Sequence, residues 1–265
     1  MILHISLWKV DIHFTSKFLS STEHMIRANL LDIALTYSPG SVKSQLTYLT
    51  DILNGDPNKL NSDRNLNLQA SNLDYNEKYE IDRRNFQICK SLGEGNYGSV
   101  YEGFAESLLF PGKRTKVAIK EVKNTGEPGQ CHALLCEIKI LGILDMHLNL
   151  VNMLGACKSQ LVYGNLWLLL EFSPHGDLKR FLSKNQEKLR MSTFNNDGLE
   201  ERLLIKWAYD IAKGMSYISS KNIMHGDLAA RNILIGNSRI LFLKHDIHIQ
   251  ADIGLISMVD ISSEN

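Results

Sequence analysis

Gly93-Glu94-Gly95-Asn96-Tyr97-Gly98 sets three glycines at G-x-G-x-x-G spacing between two apolar runs. Gln87–Leu92 reads as a strand entering the turn and Ser99–Phe104 as a strand leaving it. The residues after the last glycine constrain the fold. A dinucleotide-binding unit continues into a helix at this point, whereas Val100, Tyr101, Gly103 and Phe104 are poor helix material and favour a returning strand. The sequence therefore asks for an antiparallel hairpin. On the glycines alone, a phosphate cradle and a plain hairpin turn are equally good readings.

The next run, Lys116-Val117-Ala118-Ile119-Lys120, alternates as a strand does and puts Lys116, Ala118 and Lys120 on one face. A strand lysine is by default a solvated edge group. Lys120, about twenty residues past the glycine turn, can instead lie beneath that turn and meet phosphates as a point charge. A helix is expected from about Gln130 to Asp145, with Leu134, Ile138 and Leu141 in one apolar stripe. Glu137 borders that stripe. It is either a solvated helix glutamate or the partner of Lys120. Two strands come next, near Asn152–Cys157 and Leu166–Phe172, and the unbroken apolar run Leu166–Leu170 suits a strand buried on both faces.

Pro174-His175-Gly176 breaks the pattern and marks a hinge, after which Asp177 caps a short helix to about Leu182. The segment 183–198 reads as a surface loop. From Glu200 to Ser219, Leu204, Trp207, Ala208, Ile211, Ala212, Met215 and Ile218 form the strongest helical stripe in the chain, which predicts a core helix. The next stretch, His225-Gly226-Asp227-Leu228-Ala229-Ala230-Arg231-Asn232, has an Asp five residues before an Asn and a His two residues before that Asp. This is the spacing with which phosphoryl-transfer loops place a carboxylate beside a substrate hydroxyl and an amide oxygen on a metal.

Glycine turn, strand lysine, helix glutamate, hinge and loop stand in the order of the protein-kinase signature set. The chain resembles a protein kinase. Asp227–Asn232 is similar to the tyrosine-kinase form, and Leu73–Arg83 and Asn149–Cys157 are similar to the platelet-derived and vascular endothelial growth factor receptor group. The resemblance covers about Asn54 to Ser257. It implies an α+β, two-lobed kinase fold: an upper lobe of five antiparallel strands and one helix over residues 86–173, and an incomplete helical lower lobe over 174–265. A juxtamembrane-like linker at 54–85 and an unassigned segment at 1–53 precede them.

Carried over residue by residue, the resemblance implies that Gly93, Glu94, Gly95, Gly98 and Val100 cover ATP. Ala118 and Leu170 border the adenine, and Glu171 to Ser173 offer hinge hydrogen bonds. Lys120 pairs with Glu137 and holds phosphates, Asp227 orients or deprotonates the substrate tyrosine, and Arg231 helps place it. Asn232 and Asp252 hold Mg2+. Protein tyrosine substrates and a receptor dimerisation partner are the implied partners.

Departures accompany these matches. Position 226 is Gly where the family usually has Arg, and Asp252-Ile253-Gly254 carries Ile where the family has Phe. The interval from Asn232 to Asp252 is long and holds His245-Asp246-Ile247-His248, expected as surface residues rather than a metal site. Eleven residues follow Gly254, so the activation segment and the lower helices are expected to be missing, with apolar surface of the 200–219 helix left uncovered. Two functions are therefore carried: a tyrosine kinase, and a non-catalytic nucleotide-binding or docking module.

Charge and cysteines narrow the remainder. With 29 basic and 29 acidic residues the formal charge is zero, so no global field recruits nucleic acid or anionic membrane. Cys89, Cys131, Cys136 and Cys157 lack metal-site spacing and are expected as structural thiols of a reducing compartment. No run approaches the ~18 apolar residues of a membrane span. The chain as written is expected to be cytoplasmic, reaching the membrane only through a transmembrane segment that it does not contain. Near the start, Ile26, Leu30, Ile33 and Ala34 suggest a short helix ending at Ser38-Pro39-Gly40, and Asn54–Asn76 reads as a linker.

Overall fold

In a computed structural model of the chain, residues 39–95, 98–122, 128–187, 199–236 and 240–242 are described. Two compact units are present, residues 1–48 and 49–265. Of the first, only the opening turns of helix α1 (Pro39–Asn54) are described. Pro39 and Gly40 begin this helix, although the sequence pattern predicts that they end one. A proline in the first turn has no helical partner to lose for its missing N–H. The expected helix at 26–34 lies outside the described residues.

The second unit is built on strands β1 (Phe86–Gly95), β2 (Gly98–Glu106), β3 (Arg114–Glu121), β4 (Met153–Cys157) and β5 (Trp167–Glu171). They form one antiparallel sheet in the order β1-β2-β3-β5-β4. Strand β5 is thus interior, as its unbroken apolar run requires, and Leu166 to Leu170 are all buried. Phe86, Ala105, Val117, Ile119, Cys157, Trp167 and Leu169 make the core against one face, with Trp167 set edge-on to Phe86.

Helix α2 (Pro128–Ile143) packs on β4 and, on another side, on a 3-10 segment at Leu66–Asn72. From Cys131 to Gly142 every residue but Ala133 is buried. The expected single stripe is therefore too narrow: α2 is apolar nearly all round because it is covered nearly all round. The cover is the stretch whose composition reads as a linker. Short 3-10 turns at Pro57–Lys59 and Leu66–Asn72 fold it back, and Asn67, Gln69, Ala70 and Leu73 are buried. Its leucines follow neither helical nor strand period, so periodicity could not show that they pack.

Beyond the sheet, α3 (Leu178–Lys184) is capped by Asp177, whose Oδ1 accepts from the Arg180 amide at 2.9 Å. Helix α4 (Leu199–Ser220) leads to the loop at 225–232, and β6 (Ile233–Ile235) pairs with β7 (Ile240–Phe242). Only part of the α4 stripe is core. Trp207 and Ile218 are buried, with Trp207 edge-on to Phe181 at 5.4 Å, while Leu204, Ala208 and Ala212 are exposed. Leu203, Ile205 and Tyr209 are exposed as well, so the helix does present uncovered apolar surface.

Candidate active site

Lys120 sits in the centre of the sheet, in register with Val100 on β2 and Leu168 on β5. Its backbone is held from both sides and its ammonium leaves the sheet toward α2. There Nζ donates to Glu137 Oε2 at 2.6 Å, with both residues buried. Helix α2 supplies the carboxylate from a face that water does not reach, so each charge depends on the other. Of the two readings of Glu137, the structure selects the paired one.

The glycine hairpin lies over this pair. Gly93 is opposite Val100 and Gly95 opposite Gly98. A Cβ on Gly98 would stand 2.3 Å from the Glu121 carbonyl oxygen and 3.8 Å from Lys120 Cε, so only glycine allows β2 to approach the lysine strand this closely. Gly93 and Glu94 are exposed at the hairpin end. Ala118 and Leu170 are cross-strand neighbours. At the end of β5, the Glu171 carboxylate accepts from Asn152 Nδ2 at 2.8 Å and Ser173 Oγ donates to the Ile235 carbonyl at 2.7 Å. Both side chains therefore anchor the hinge, and what they can offer a nucleotide is backbone.

In the loop, His225 is buried and its Nδ1 accepts from the Asp227 amide at 3.2 Å. Between them Gly226 has φ +77°, a left-handed conformation that glycine adopts without strain. The departure at 226 thus suits the backbone of the turn. Arg231 Nη2 donates to both Asp227 oxygens, at 2.5 and 2.7 Å, and Asn232 Nδ2 donates to Asp227 O at 2.9 Å and Oδ2 at 2.8 Å. The Arg231 hydrogen bonds, with help from Asn232, hold the Asp227 carboxyl below its usual range despite some desolvation. Asp227 is ionised at neutral pH. An amide nitrogen committed to Asp227 leaves Asn232 Oδ1 as the hard oxygen donor a magnesium ion takes, so this residue fits the implied metal.

Some expected residues lie outside the described ones: Asn96 and Tyr97 of the turn, Asp252 and Ile253, and the run His245–His248. Among the described residues there is no cluster of three or more His, Cys, Asp or Glu placed to hold a metal. The four cysteines are free thiols, three of them buried, and burial pushes the Cys131 thiol up to about 11 and Cys136 up to about 12. Sequence reasoning missed Asn152, which fixes Glu171, and Lys139, a fully buried cation of α2. The second had a signal in the sequence, a lysine flanked by Ile138 and Ile140 inside an apolar helix.

A glycine hairpin resting on a strand lysine, a helix carboxylate neutralising that lysine, and a loop holding an ionised aspartate beside an asparagine are the kinds of parts from which nucleotide-dependent phosphoryl-transfer sites are built. The chain belongs to the protein tyrosine and serine/threonine kinase family, whose model matches residues 86–265. It is 34% identical over 177 residues to fibroblast growth factor receptor homolog 2 of Drosophila melanogaster, covering 62% of this chain and 16% of that protein. Against fibroblast growth factor receptor 1 of Dugesia japonica it is 32% identical, over 69% of this chain and 20% of that protein. Against the macrophage colony-stimulating factor 1 receptor of Felis catus it is 29% identical, over 65% and 23%. The chain therefore spans a quarter or less of these receptors' length, and no described helix is long and apolar enough to cross a membrane.

Proposed function

We propose that this chain is the kinase part of a receptor-type tyrosine kinase, transferring the γ-phosphoryl group of ATP to protein tyrosine. Residues 86–173 form the upper lobe, 174–265 belong to the lower lobe, and 54–85 is the juxtamembrane-like segment. The observation that carries the proposal is the buried 2.6 Å pair of Lys120 and Glu137 under Gly98, in the same unit as the ionised Asp227.

Each residue then has a definite task. Backbone amides of the 93–98 hairpin cover the phosphates, Lys120 neutralises them, and Ala118, Val100 and Leu170 border the base. Backbone groups of Glu171 to Ser173 bind its edge. The tyrosine oxygen forms the new bond to phosphorus while the bond to the β-phosphate oxygen breaks and ADP leaves. Asp227 orients the hydroxyl and takes its proton, and Arg231, which grips Asp227 at rest, helps place the ring. Asn232 and Asp252 would hold magnesium, which supplies charge neutralisation on the phosphates. Protein tyrosine substrates, a dimerising partner receptor and a position on the cytoplasmic side of the plasma membrane complete the proposal.

Mg-ATP binding tests it first. A ligand that binds only the folded state at about 100 times its Kd adds roughly 2.7 kcal/mol, so millimolar Mg-ATP should raise the melting temperature of the chain and not that of Lys120→Met. No shift in the unmodified chain would overturn the assignment.

A further inference from the structure

The face of the sheet turned away from the Val117 and Ile119 core carries its side chains in cross-strand rows. Val100, Lys120 and Leu168 stand opposite one another in the first row, and Glu102, Ala118 and Leu170 in the second. Residues two apart on a strand share a face, so a third row follows on the same side. It starts with Phe104 opposite Lys116 and, one step past the last β3–β5 pair of Val117 and Glu171, reaches Phe172. The first two rows hold the residues that the kinase assignment gives to phosphates and base. The third has no task in that assignment.

Lys116 is the centre of the third row. Its Nζ lies over the Phe172 ring, 4.1 Å from the centroid, and 3.0 Å from Glu102 Oε1. The ring face attracts the ammonium through its quadrupole, and the carboxylate of the second row fixes where the ammonium points. Across the strand, Arg114 lies over the Phe104 ring at 4.1 Å, so each ring of the row has its own cation. Phe172 is the middle residue of the hinge, and its neighbours are tied down by other bonds. The Glu171 amide donates to the Asn152 carbonyl at 3.1 Å, and Ser173 Oγ donates to the Ile235 carbonyl at 2.7 Å. Lys116 therefore ties the middle of the hinge to the sheet. The Lys116 side chain is 42% exposed and that of Glu102 23%, so the tie is a modest one that water can compete with.

We propose that Lys116 is a positioning residue of the nucleotide site, holding Phe172 so that the backbone of Glu171 to Ser173 faces the base. The proposal rests on the kinase assignment and deepens it. Three residues of one strand face then divide the nucleotide between them: Lys120 meets the phosphates, Ala118 borders the base, and Lys116 steadies the backbone that binds the base's edge. The hinge holds the base alike before and during phosphoryl transfer, so Lys116 sets KM for ATP and leaves kcat alone.

Lys116→Met keeps the apolar stem and removes the charge. In the whole chain it should weaken Mg-ATP binding about threefold, the scale of one cation–π contact near the surface, and raise KM for ATP by the same factor with kcat unchanged. Lys116→Arg, which also stacks on rings, should restore both. Phe172→Leu should match Lys116→Met, and the double variant should bind no more weakly than either single one, because the two residues act through one contact. Without nucleotide, amide hydrogen exchange at 171–173 should speed about threefold in Lys116→Met and recover in Lys116→Arg. Lys116 is exposed, so its variants fold even if Phe172→Leu does not, and they decide the matter alone. Unchanged affinity or unchanged hinge exchange in Lys116→Met, additive losses in the double variant, or a lower kcat at constant KM each overturn the proposal. A parent chain that binds no Mg-ATP overturns the kinase assignment and this purpose for Lys116 with it, whereas a parent that binds as well as Lys116→Met overturns the proposal alone.

Discussion

Two ion pairs mark the two halves of the site, and they differ in almost everything but charge. Lys120–Glu137 is 7% and 11% exposed at its side chains and fixed between a central strand and a buried helix. Arg231–Asp227 is 56% and 29% exposed, four residues apart in one loop. In the first, neither partner can be solvated if the other leaves, so the pair is a permanent part of the fold. In the second, water or a substrate can replace the arginine at small cost. The cation of the upper pair is therefore built into the fold, whereas the carboxylate of the lower pair is kept ionised by contacts that can be exchanged.

Mutation can break this contrast most sharply at the buried pair. Lys120→Met strands Glu137 in the interior and should cost about 3–5 kcal/mol of stability, a loss typical of breaking a buried pair; chemical denaturation measures it. Equal stability of mutant and parent would show that the pair is not the anchor described. Next comes Asp227→Asn, expected to lower tyrosine-peptide phosphorylation by about 10²–10⁴, the range of a lost acid–base group. Its melting temperature should move far less than that of Lys120→Met.

Lys139 extends the comparison to a buried cation met by the carbonyls of Ile52 and Ser71 instead of a carboxylate. Burial, which takes the ammonium out of water, pushes this lysine down to about 8. Its proton leaves near pH 8 when folded and near 10.5 when unfolded, so in that window the unfolded state binds more protons and this residue makes stability rise with pH. Buried Cys131 and Cys136, with raised thiol pKa values, act in the opposite direction. The difference between the parent and Lys139→Met, followed by denaturation from pH 8 to 10.5, isolates the lysine; a flat difference would contradict its burial as a cation. The smallest effect is Arg231→Ala. Asp227 has a depressed folded pKa, so its contribution is present above the unfolded carboxylate pKa and fades as pH falls through the folded one. Carboxyl NMR should show Asp227 titrating at higher pH in the variant, with little change in melting temperature at neutral pH.

The sheet was legible because its signals are local. Val100 to Phe104 could not continue a helix, Leu166 to Leu170 could only be interior, and Asp177 announced its own cap. The lysine and glutamate could be named from spacing, but whether they meet was settled by packing that no single stretch encodes. The segment over residues 49–73 was illegible for a physical reason. Its 3-10 turns have no long period, its buried Asn67 and Gln69 look like linker residues, and its hydrogen bonds to Asn222 and Met224 span more than 150 positions. Pro39 misled because proline opens a helix as readily as it ends one. The core expected of α4 was overstated, since a stripe at helical spacing shows which face is apolar and not what covers it.

Phosphoryl transfer itself is the most direct test. The purified chain, Lys120→Met and Asp227→Asn would each be incubated with γ-labelled Mg-ATP and a peptide offering tyrosine and serine. Label on tyrosine from the parent chain, with background label from both variants, is the expected result. Incorporation no greater in the parent than in the variants, or label on serine alone, would contradict it.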